Sequence, residues 1–431
     1  MVRSYWVETL GCPKNQVDSD KLEGTLAADG LERALDPEMA DLIVINTCAF
    51  IEEARQESID TILAFDARRR DGAKLVVTGC LAERYRDDLV ETLPEIDLVA
   101  PFGVALSTVL APQAVAVRIG TKPSGSGVRP PPDFDLLNLP RPAARAPWAY
   151  VKVAEGCDRN CGFCAIPSFR GKQRSRAVHD VVAEVEALGA REIVLVAQDL
   201  AAYGRDQGQG ERALVPLVQR LDALVDWVRL LYLYPSDLTD TLIDTICATE
   251  VAYFDLSLQH VSAPLLRRMR RWGDGERFLS RIADIRRRRP DAAFRTNFIV
   301  GYPGETEADH DQLVRFIEQA RLDWCGFFAY SPEEGTYATT LDGEVPASLR
   351  DEWLHELREL QDGVTAQARD ALIGTTVRVL VDEPGLGRSF REAPEIDGTI
   401  ELPADLPVGS FAQVIIVDAL GPDLVADRVA L

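Results

Sequence analysis

The sequence lacks any long apolar segment. No stretch approaches the roughly 18 apolar residues that would span a membrane, and the opening residues, MetValArgSerTyrTrpValGluThr, contain no apolar signal core. We therefore predict a cytoplasmic protein with no membrane partner. No tandem repeat of the solenoid kind is present either. A length of 431 residues is sufficient for two or three domains with ordinary cores.

Basic residues are scarce relative to acidic ones. The chain has 47 Lys and Arg against 69 Asp and Glu, which gives a net charge of −22. This balance repels a phosphate backbone on average and favours solubility or a basic partner. Residues 267–289 are the exception, because they contain ten Arg. We interpret them as a solvated helix face offset by acidic neighbours, with contact to RNA or to an acidic protein as the alternative.

Three of the eight cysteines stand close together in the stretch GluGlyCysAspArgAsnCysGlyPheCys, residues 155–164. The short intervals between Cys157, Cys161 and Cys164 let each sulfur fold back toward one metal centre. Three thiolates leave one iron of a 4Fe–4S cluster without a protein ligand. The alternatives are a zinc loop without its fourth ligand or clustered core cysteines, but no His or fourth Cys follows within the reach of a zinc ribbon.

This trio resembles the signature of the radical S-adenosylmethionine (SAM) superfamily. Its flanks, GluGlyCys before and CysAlaIleProSerPheArgGly (164–171) after, resemble those of the methylthiotransferases. The resemblance implies that SAM binds the open iron through its methionyl amine and carboxylate. It further implies that one electron from the cluster cleaves SAM to a 5′-deoxyadenosyl radical, while the protein positions and shields this cofactor chemistry.

A second set of cysteines follows three separate strand candidates. The apolar runs 5–10, 42–46 and 75–78 alternate with helical stretches, which indicates a parallel sheet. Each run leads into one cysteine: Cys12, Cys48 or Cys80. Parallel strands bring their C-terminal ends to one edge of the sheet, so these thiols should converge there. A lone cysteine would more often be a small core residue.

The segments around these cysteines, ThrLeuGlyCysProLysAsnGlnValAspSer (9–19), AsnThrCysAlaPheIle (46–51) and ThrGlyCysLeuAlaGluArgTyr (78–85), resemble the N-terminal domain of the methylthiotransferases. The resemblance implies a second 4Fe–4S cluster on this trio, with one iron free to carry the sulfur that is inserted. We predict that three polar residues cap the helix after the first cysteine, namely Asn15, Asp18 and Ser19.

Composition divides the chain into three domains and a linker rich in Pro, Gly and Ser. We predict an N-terminal domain, the linker, a central domain and a C-terminal domain over 1–117, 118–147, 148–372 and 373–431. Six strand candidates alternate with helices in the central domain, which is the pattern of an incomplete (β/α)6 barrel with its chemistry at the C-terminal strand ends. The resemblance places Gln198 and Gly301 in the SAM pocket. His260 also ends a strand, and we interpret it as a hydrogen-bonded structural residue.

The C-terminal residues change to five short strands broken by Gly and Pro, which predicts a small OB-like β-barrel. This region resembles the TRAM domain, and TyrSerProGluGluGlyThr (330–336) and AlaProGluIleAspGly (393–398) resemble the branch that modifies a ribosomal protein. Residues 374–431 contain four Arg and ten acidic residues, a net charge of −6. We predict that this barrel docks a basic protein rather than tRNA. The carboxylates expected to contribute are Asp382, Glu383, Glu392 and Glu395.

The predicted fold class is α/β, with an N-terminal parallel α/β sheet domain, a central partial (β/α)6 radical SAM barrel and a C-terminal OB-like barrel. The resemblance implies methylthiolation of the β-carbon of an aspartate in the small-subunit ribosomal protein S-twelve, free or in the ribosome. It implies two 4Fe–4S clusters, SAM, and an electron donor such as flavodoxin or ferredoxin, while RNA contact is secondary. The alternatives are the same chemistry on a tRNA adenosine and a non-catalytic iron–sulfur protein that docks on ribosomes.

Overall fold

The computed structural model describes residues 3–102, 104, 106, 135–208 and 213–429. Contacts divide the chain into two compact units, Met1–Pro142 with Ser168–Arg170, and Ala143–Pro167 with Gly171–Leu431. The predicted linker lies outside the described residues as far as residue 134. Within the described ranges, no helix combines the length and the hydropathy that a membrane crossing requires.

The N-terminal unit is built on a parallel sheet with helices between its strands. The strands are β1 (Ser4–Thr9), β2 (Glu32–Arg33), β3 (Leu42–Thr47), β4 (Lys74–Gly79) and β5 (Leu98–Val99). The helices are α1 (Pro13–Ala28), α2 (Glu52–Arg68), α3 (Cys80–Arg84) and α4 (Arg86–Thr92). The strand order is β2-β1-β3-β4-β5, so the three strands that lead into cysteines are neighbours.

Strand β3 is buried along its whole length because apolar residues cover both faces of the sheet. Ile43 and Ile45 pack in a cluster that includes Ile62 of α2, while Val44 packs on the other face with Leu22 of α1. This two-sided burial fixes the strand in place, and with it the position of the residues that follow its C-terminal end.

The second unit alternates strands and helices as the sequence predicts. Its strands are β6 (Trp148–Lys152), β7 (Ala154–Glu155), β8 (Arg174–Ser175), β9 (Glu192–Val196), β10 (Trp227–Leu230), β11 (Tyr253–Gln259), β12 (Ala293–Val300) and β13 (Trp324–Ala329). The helices from residue 166 onward are α5 (Ile166–Phe169), α6 (Val178–Leu188), α7 (Leu214–Asp222), α8 (Asp240–Ala248), α9 (Ala263–Arg268), α10 (Gly275–Arg288), α11 (Glu307–Ala320) and α12 (Ala347–Asp370).

Six of these strands form the incomplete barrel. The parallel sheets β10-β9-β6 and β11-β12-β13 are joined by a parallel bridge between Leu233 and Leu256. Strands β7 and β8 form a separate antiparallel ribbon. The predicted α/β class and partial (β/α)6 barrel are confirmed, because every crossover between neighbouring strands of this barrel carries at least one helix.

The C-terminal residues form the predicted small closed barrel. Its strands are β14 (Thr376–Glu383), β15 (Leu386–Arg388), β16 (Ile400–Glu401), β17 (Phe411–Leu420) and β18 (Asp423–Arg428). They close in the order β14-β15-β16-β18-β17. The interior is filled by side chains such as Val379, Val381, Ile400 and Ile416.

Buried ion pairs attach this C-terminal barrel to the strands of the same unit. Glu192, the first residue of β9, accepts from Arg229 of β10 at 2.7 Å and from Arg388 of β15 at 2.8 Å. The side chains of Glu192, Arg229 and Arg388 are nearly inaccessible to solvent. Breaking such a pair would leave an uncompensated buried charge, so the contact is costly to open.

Two of the four predicted docking carboxylates belong to this attachment. Asp382 pairs with Arg388 at 2.6 Å, and Glu392 pairs with Arg369 of α12. The prediction that Asp382 and Glu392 meet a basic partner is therefore wrong, because both carboxylates neutralise guanidinium groups inside the unit. Glu383 and Glu395, in contrast, are exposed.

The Arg-rich stretch 267–289 is engaged within the chain. The Arg288 guanidinium lies within ion-pair distance of three carboxylates, those of Asp240, Asp244 and Asp284. Arg286 donates instead to the carbonyls of Ala320 and Arg321 at 2.7 and 2.8 Å. These contacts support the interpretation of a helix face offset by neighbouring acids.

Candidate metal centres

The N-terminal trio lies at the C-terminal edge of the N-terminal sheet. Cys12 precedes α1, Cys48 directly follows β3 and Cys80 opens α3. A methyl group built on Gly11 would come within 2.9 Å of the Cys48 sulfur. The three thiols that are far apart in sequence are thus brought to one place by adjacent strands.

The glycine before Cys80 is required by the backbone. Gly79 has φ +91°, a conformation that L-residues rarely adopt. A Cβ at this position would collide with the Asn46 side chain and would lie 2.5 Å from the carbonyl oxygen of Thr47. The close approach of β3 and β4 at their ends therefore depends on Gly79, and this approach sets the position of Cys80.

Asn15 ties the ends of two strands together beneath the trio. Its side-chain amide donates to the carbonyls of Leu10 at 2.9 Å and Thr47 at 3.0 Å, and the residue is fully buried. The predicted capping role is wrong for this residue, because the N-cap of α1 is Cys12 and no side chain caps it. Asn15 satisfies strand-end carbonyls instead of helix N–H groups.

The thiols of this trio influence one another's ionisation. Burial, with smaller contributions from the adjacent Cys12 and Cys80, raises the pKa of Cys48 to about 12. Burial also raises the pKa of Cys80, against the opposing pull of Arg170. At Cys12 burial disfavours the thiolate, but the attraction of Lys14 and Arg170 outweighs it and holds the pKa below its ordinary value. A bound cation would be needed to keep all three thiols ionised at neutral pH.

The central trio lies on the loop between β7 and α5. The backbone N–H of Arg159 donates to the Cys157 sulfur at 3.4 Å, and the N–H of Cys164 donates to the Cys161 carbonyl at 3.3 Å. The N–H of Gly162 donates to the carbonyl of Met269 at 2.8 Å, which fastens the loop to the end of α9. The loop follows β6, the first strand of the incomplete barrel, and the short strand β7. It therefore stands at the C-terminal rim of the barrel.

Burial and a nearby guanidinium act in opposite directions on the ionisation of the central trio. Burial raises the pKa of Cys157 to about 11 and that of Cys164 to about 12. The Arg271 guanidinium donates to the Cys161 sulfur at 3.4 Å. Donors aimed at sulfur stabilise thiolate charge, but burial outweighs them at Cys157 and Cys164, so a bound cation would be needed to keep these thiols ionised at neutral pH.

An arginine within the loop anchors it to neighbouring strand ends. Arg159 pairs with Asp199 at 2.6 Å and with Asp237, and its guanidinium lies 3.8 Å from the ring centroid of Tyr234. The sequence offers Asp199 as a strand-end pocket residue but does not single out Arg159 or Asp237. Asp199 follows the end of β9 and Asp237 follows the end of β10. Polar residues after the strands of such a barrel face its rim, and this position was the signal in the sequence for a functional role.

The predicted SAM-pocket residues have partners of their own. Gln198 donates to Glu155 at 2.7 Å, and its side-chain carbonyl oxygen is a buried acceptor without a hydrogen bond in the described structure. The N–H of Gly301 donates to Glu305 at 2.6 Å, and a Cβ on Gly301 would collide with Arg350. Their contact with SAM stays a prediction, and Gln198 has the free acceptor that such a contact needs.

The interpretation of His260 as structural agrees with its surroundings. His260 is completely buried, its Nε2 lies 3.2 Å from the Glu305 carboxylate, and its Nδ1 accepts from the N–H of Ser262 at 3.0 Å. Glu305 also accepts from the N–H of Tyr302 at 3.1 Å. The pair therefore braces the turns after β11 and β12.

The donor chemistry of both trios fits an iron–sulfur cluster. Thiolates are the ligands that hold such clusters, and N–H donors reach a sulfur in each trio, from Arg159 and from Arg170. In the part of the chain that the structure describes, no three His, Cys, Asp or Glu side chains are already spaced around a single ion position. The fit is therefore one of ligand type and electrostatics.

Comparisons with known proteins agree with this organisation. Residues 4–101 match the uncharacterized protein family UPF0004, residues 151–317 match the radical SAM superfamily and residues 373–429 match the TRAM domain. The solved radical SAM methyltransferase TsrM from Kitasatospora setae, which has cobalamin and a [4Fe-4S] cluster bound, shares the fold. Its TM-score is 0.52 at 14% identity, covering 95% of this chain and 84% of that chain. The fold and the sites thus define a protein of the radical SAM class.

Relatives across the full length refine this class. The ribosomal protein uS12 methylthiotransferase RimO of Moorella thermoacetica is 44% identical over 95% of both chains. The same protein of Cutibacterium acnes is 41% identical over 97% of this chain and 96% of its own, and that of Aquifex aeolicus is 39% identical over 97% and 95%. The chain belongs to the RimO family of ribosomal protein methylthiotransferases.

Proposed function

We propose that this protein is a radical SAM methylthiotransferase that modifies the β-carbon of an aspartate in ribosomal protein uS12. Membership in the RimO family supports the reaction and the substrate. The single observation that carries the proposal is the pair of cysteine trios: the N-terminal trio lies at the C-terminal ends of parallel strands, and the central trio lies on the loop that follows β6 and β7, where ligands bind in such folds. A non-catalytic docking protein would not need two such trios.

We assign one 4Fe–4S cluster to each trio. When bound, the clusters and SAM supply the radical chemistry and the sulfur. Cys157, Cys161 and Cys164 would hold the cluster that binds SAM, and Arg159 and Arg271 would stabilise its thiolates. Gln198 would accept a hydrogen bond from SAM through its unpartnered oxygen. The second cluster would be held by Cys12, Cys48 and Cys80.

The experiment is mass spectrometry of uS12 and of tRNA from a strain without this gene. We expect uS12 to lose the mass of one methylthio substituent on an aspartate, while tRNA adenosines keep their modifications. Complementation with the wild-type chain should restore the modification, and complementation with either trio replaced by Ala should not. Loss of a tRNA modification with uS12 unchanged would favour the tRNA alternative instead. The proposed location is the cytoplasm, with flavodoxin or ferredoxin as the electron donor.

The acidic C-terminal barrel is proposed to help dock the basic substrate. Asp382 and Glu392 are excluded because they are paired inside the unit, so the exposed acids of the barrel carry this role. The four chosen for substitution are Glu383, Glu401, Asp418 and Asp427. Replacing these four by Gln or Asn should weaken binding of purified uS12 severalfold at low salt and less at high salt, because the exposed charges are screened over roughly 8 Å at physiological ionic strength.

A matched control removes the same charge elsewhere. Four exposed acids of the N-terminal unit are suitable: Glu53, Glu57, Asp60 and Asp71. If both sets weaken binding equally across a salt series, net charge alone attracts uS12 and the C-terminal barrel has no special part in docking.

A further inference from the structure

A three-residue segment after the central trio is part of the N-terminal unit. Ser168–Arg170 is grouped with Met1–Pro142 by its contacts, although it follows Cys164 by only a few residues. The Phe169 ring packs in the apolar cluster that contains Ile62 and Leu81. This packing fixes the backbone of the segment and determines where the next side chain, that of Arg170, can reach.

Arg170 reaches the sulfur of one cysteine of the N-terminal trio. Its Nη2 donates to the Cys80 sulfur at 3.1 Å and to the side-chain oxygen of Asn15 at 2.8 Å. Its guanidinium carbon lies 4.5 Å from the ring centroid of Phe102. The side chain is only 3% exposed, so it is held in one geometry and little water screens its charge.

A purely structural ion pair does not account for this geometry. Arg170 also lies beside Asp18, but the Nη1 to carboxylate distance is 3.3 Å, longer than the contacts that Nη2 makes. A guanidinium has five N–H donors in a fixed fork, so one edge can neutralise Asp18 while the other points at Cys80. The Nη2 edge of the Arg170 guanidinium is the one that contacts the Cys80 sulfur.

The charge of Arg170 acts on the whole trio. It favours the thiolate at Cys12, at Cys48 and at Cys80 and so pulls the pKa of each thiol downward, in opposition to burial. The neighbouring Asp18 acts in the opposite direction on Cys80. The trio therefore stands beside the buried cations Arg170 and Lys14 and the buried anion Asp18, and the effects of Arg170 and Asp18 can be separated by substitution.

We propose that Arg170 is a positioning residue that holds the Cys80 thiolate by a charge-assisted hydrogen bond and raises the reduction potential of the cluster on Cys12, Cys48 and Cys80. The proposal rests on the proposed function, which places a cluster on this trio. Hydrogen bonds to cluster sulfurs and nearby positive charge favour the reduced, more negative state. Asp18 should lower the same potential.

The test uses the full chain with Cys157, Cys161 and Cys164 replaced by Ala, so that only the N-terminal cluster contributes a signal. After anaerobic reconstitution, iron content and an EPR-monitored redox titration with dithionite are measured for Arg170→Gln, Arg170→Lys and Asp18→Asn. The matched control is Arg141→Gln. Arg141 is equally buried in the same unit and pairs with Asp20 at 2.8 Å.

We expect Arg170→Gln to disfavour one-electron reduction about tenfold, a shift of about 59 mV to more negative potential. Arg170→Lys, which keeps the charge, should shift less. Asp18→Asn should shift the potential in the opposite direction, and Arg141→Gln should not shift it. Loss of iron in Arg170→Gln with retention in Arg170→Lys would also support a charge-dependent hold on Cys80.

Two results would overturn the proposal. One is a potential in Arg170→Gln equal to that of Arg141→Gln with full iron content. The other is loss of iron from both Arg170→Gln and Arg170→Lys, since a charge-dependent hold requires the lysine variant to retain its cluster. If the chain without the central cysteines binds no iron before any change at Arg170, the two-cluster assignment itself fails, and this inference fails with it.

Discussion

The two cysteine trios have similar electrostatic surroundings but are arranged differently along the chain. The central trio lies on one loop, from Cys157 to Cys164, whereas the N-terminal trio is spread from Cys12 to Cys80 over the ends of three strands. A short loop closes at small entropic cost. The spread trio exists only when the whole sheet has formed, so its geometry depends on long-range packing.

The likeness between the trios is electrostatic. Arg271 donates to Cys161 at 3.4 Å, and Arg170 donates to Cys80 at 3.1 Å, so each trio has one guanidinium aimed at one sulfur. Buried thiolates are costly without such partners, since burial disfavours the charged form. The comparison teaches that a local and a spread set of thiols can receive the same kind of electrostatic support.

The largest expected effect separates the roles of the trios. Replacing Cys157, Cys161 and Cys164 by Ala should abolish both 5′-deoxyadenosine formation and methylthiolation of uS12. The same change at the N-terminal trio should abolish methylthiolation while SAM cleavage persists, because we assign SAM to the open iron of the cluster proposed on the central trio. Chromatography of the nucleoside products and the mass of uS12 give the two readouts.

Each triple variant should retain about half of the iron of the reconstituted protein, on the count of four irons per cluster. Cys247→Ala is the control, because this cysteine belongs to neither trio. Absence of SAM cleavage from both triple variants, in folded protein, would contradict the division of labour between the trios.

The second-largest expected effect tests whether the position of the N-terminal trio depends on long-range packing. Gly79→Ala should lower the free energy of unfolding of the N-terminal unit by about 3 kcal/mol, from a strained φ together with overpacking at the strand ends. Gly156, before Cys157, also has positive φ and would collide with Lys172 if substituted. The Lys172 atoms in this collision are backbone, as at Gly79, so Gly156→Ala should cost a similar amount.

Calorimetric unfolding and iron content measure both glycine variants. Gly171→Ala is the control, since Gly171 has φ +76° with no atom near its Cβ position and should cost about 1 kcal/mol. A cost of Gly79→Ala no larger than that of Gly171→Ala would show that the approach of the strand ends does not depend on Gly79.

The smallest of the three effects concerns Asn15. Asn15→Ala leaves the carbonyls of Leu10 and Thr47 without their donor and should cost about 2 kcal/mol, with iron lost from the N-terminal cluster alone. Asn138→Ala, at an exposed position of the same unit, should stay within about 0.5 kcal/mol. Chemical denaturation measures both, and equal costs would remove Asn15 from the support of the trio.

Much of the fold was available from the sequence. The alternation of apolar runs and helical stretches predicted the N-terminal parallel sheet, the six strands of the incomplete barrel and the small C-terminal barrel. These elements are set by local periodicity, which the chain carries directly. The same strand-end argument predicted that Cys12, Cys48 and Cys80 converge at one edge of the sheet.

The errors arose where side chains choose distant partners. Asn15 was expected to cap a helix and instead bonds to Leu10 and Thr47, and Asp382 and Glu392 were expected at the surface and are paired inside. Sequence alone gives the charge of a residue but not the partner that neutralises it. Arg170 was passed over for the same reason, because its sulfur partner is 90 positions away.

The sequence by itself therefore determined the class of each domain, the two sets of thiols and the family, since periodicity and motif spacing are written locally along the chain. Only the tertiary structure decided which charges face solvent and which face one another. A buried ion pair joins residues such as Glu192 and Arg388, far apart in sequence, and it persists because the packed fold would otherwise hold an uncompensated buried charge.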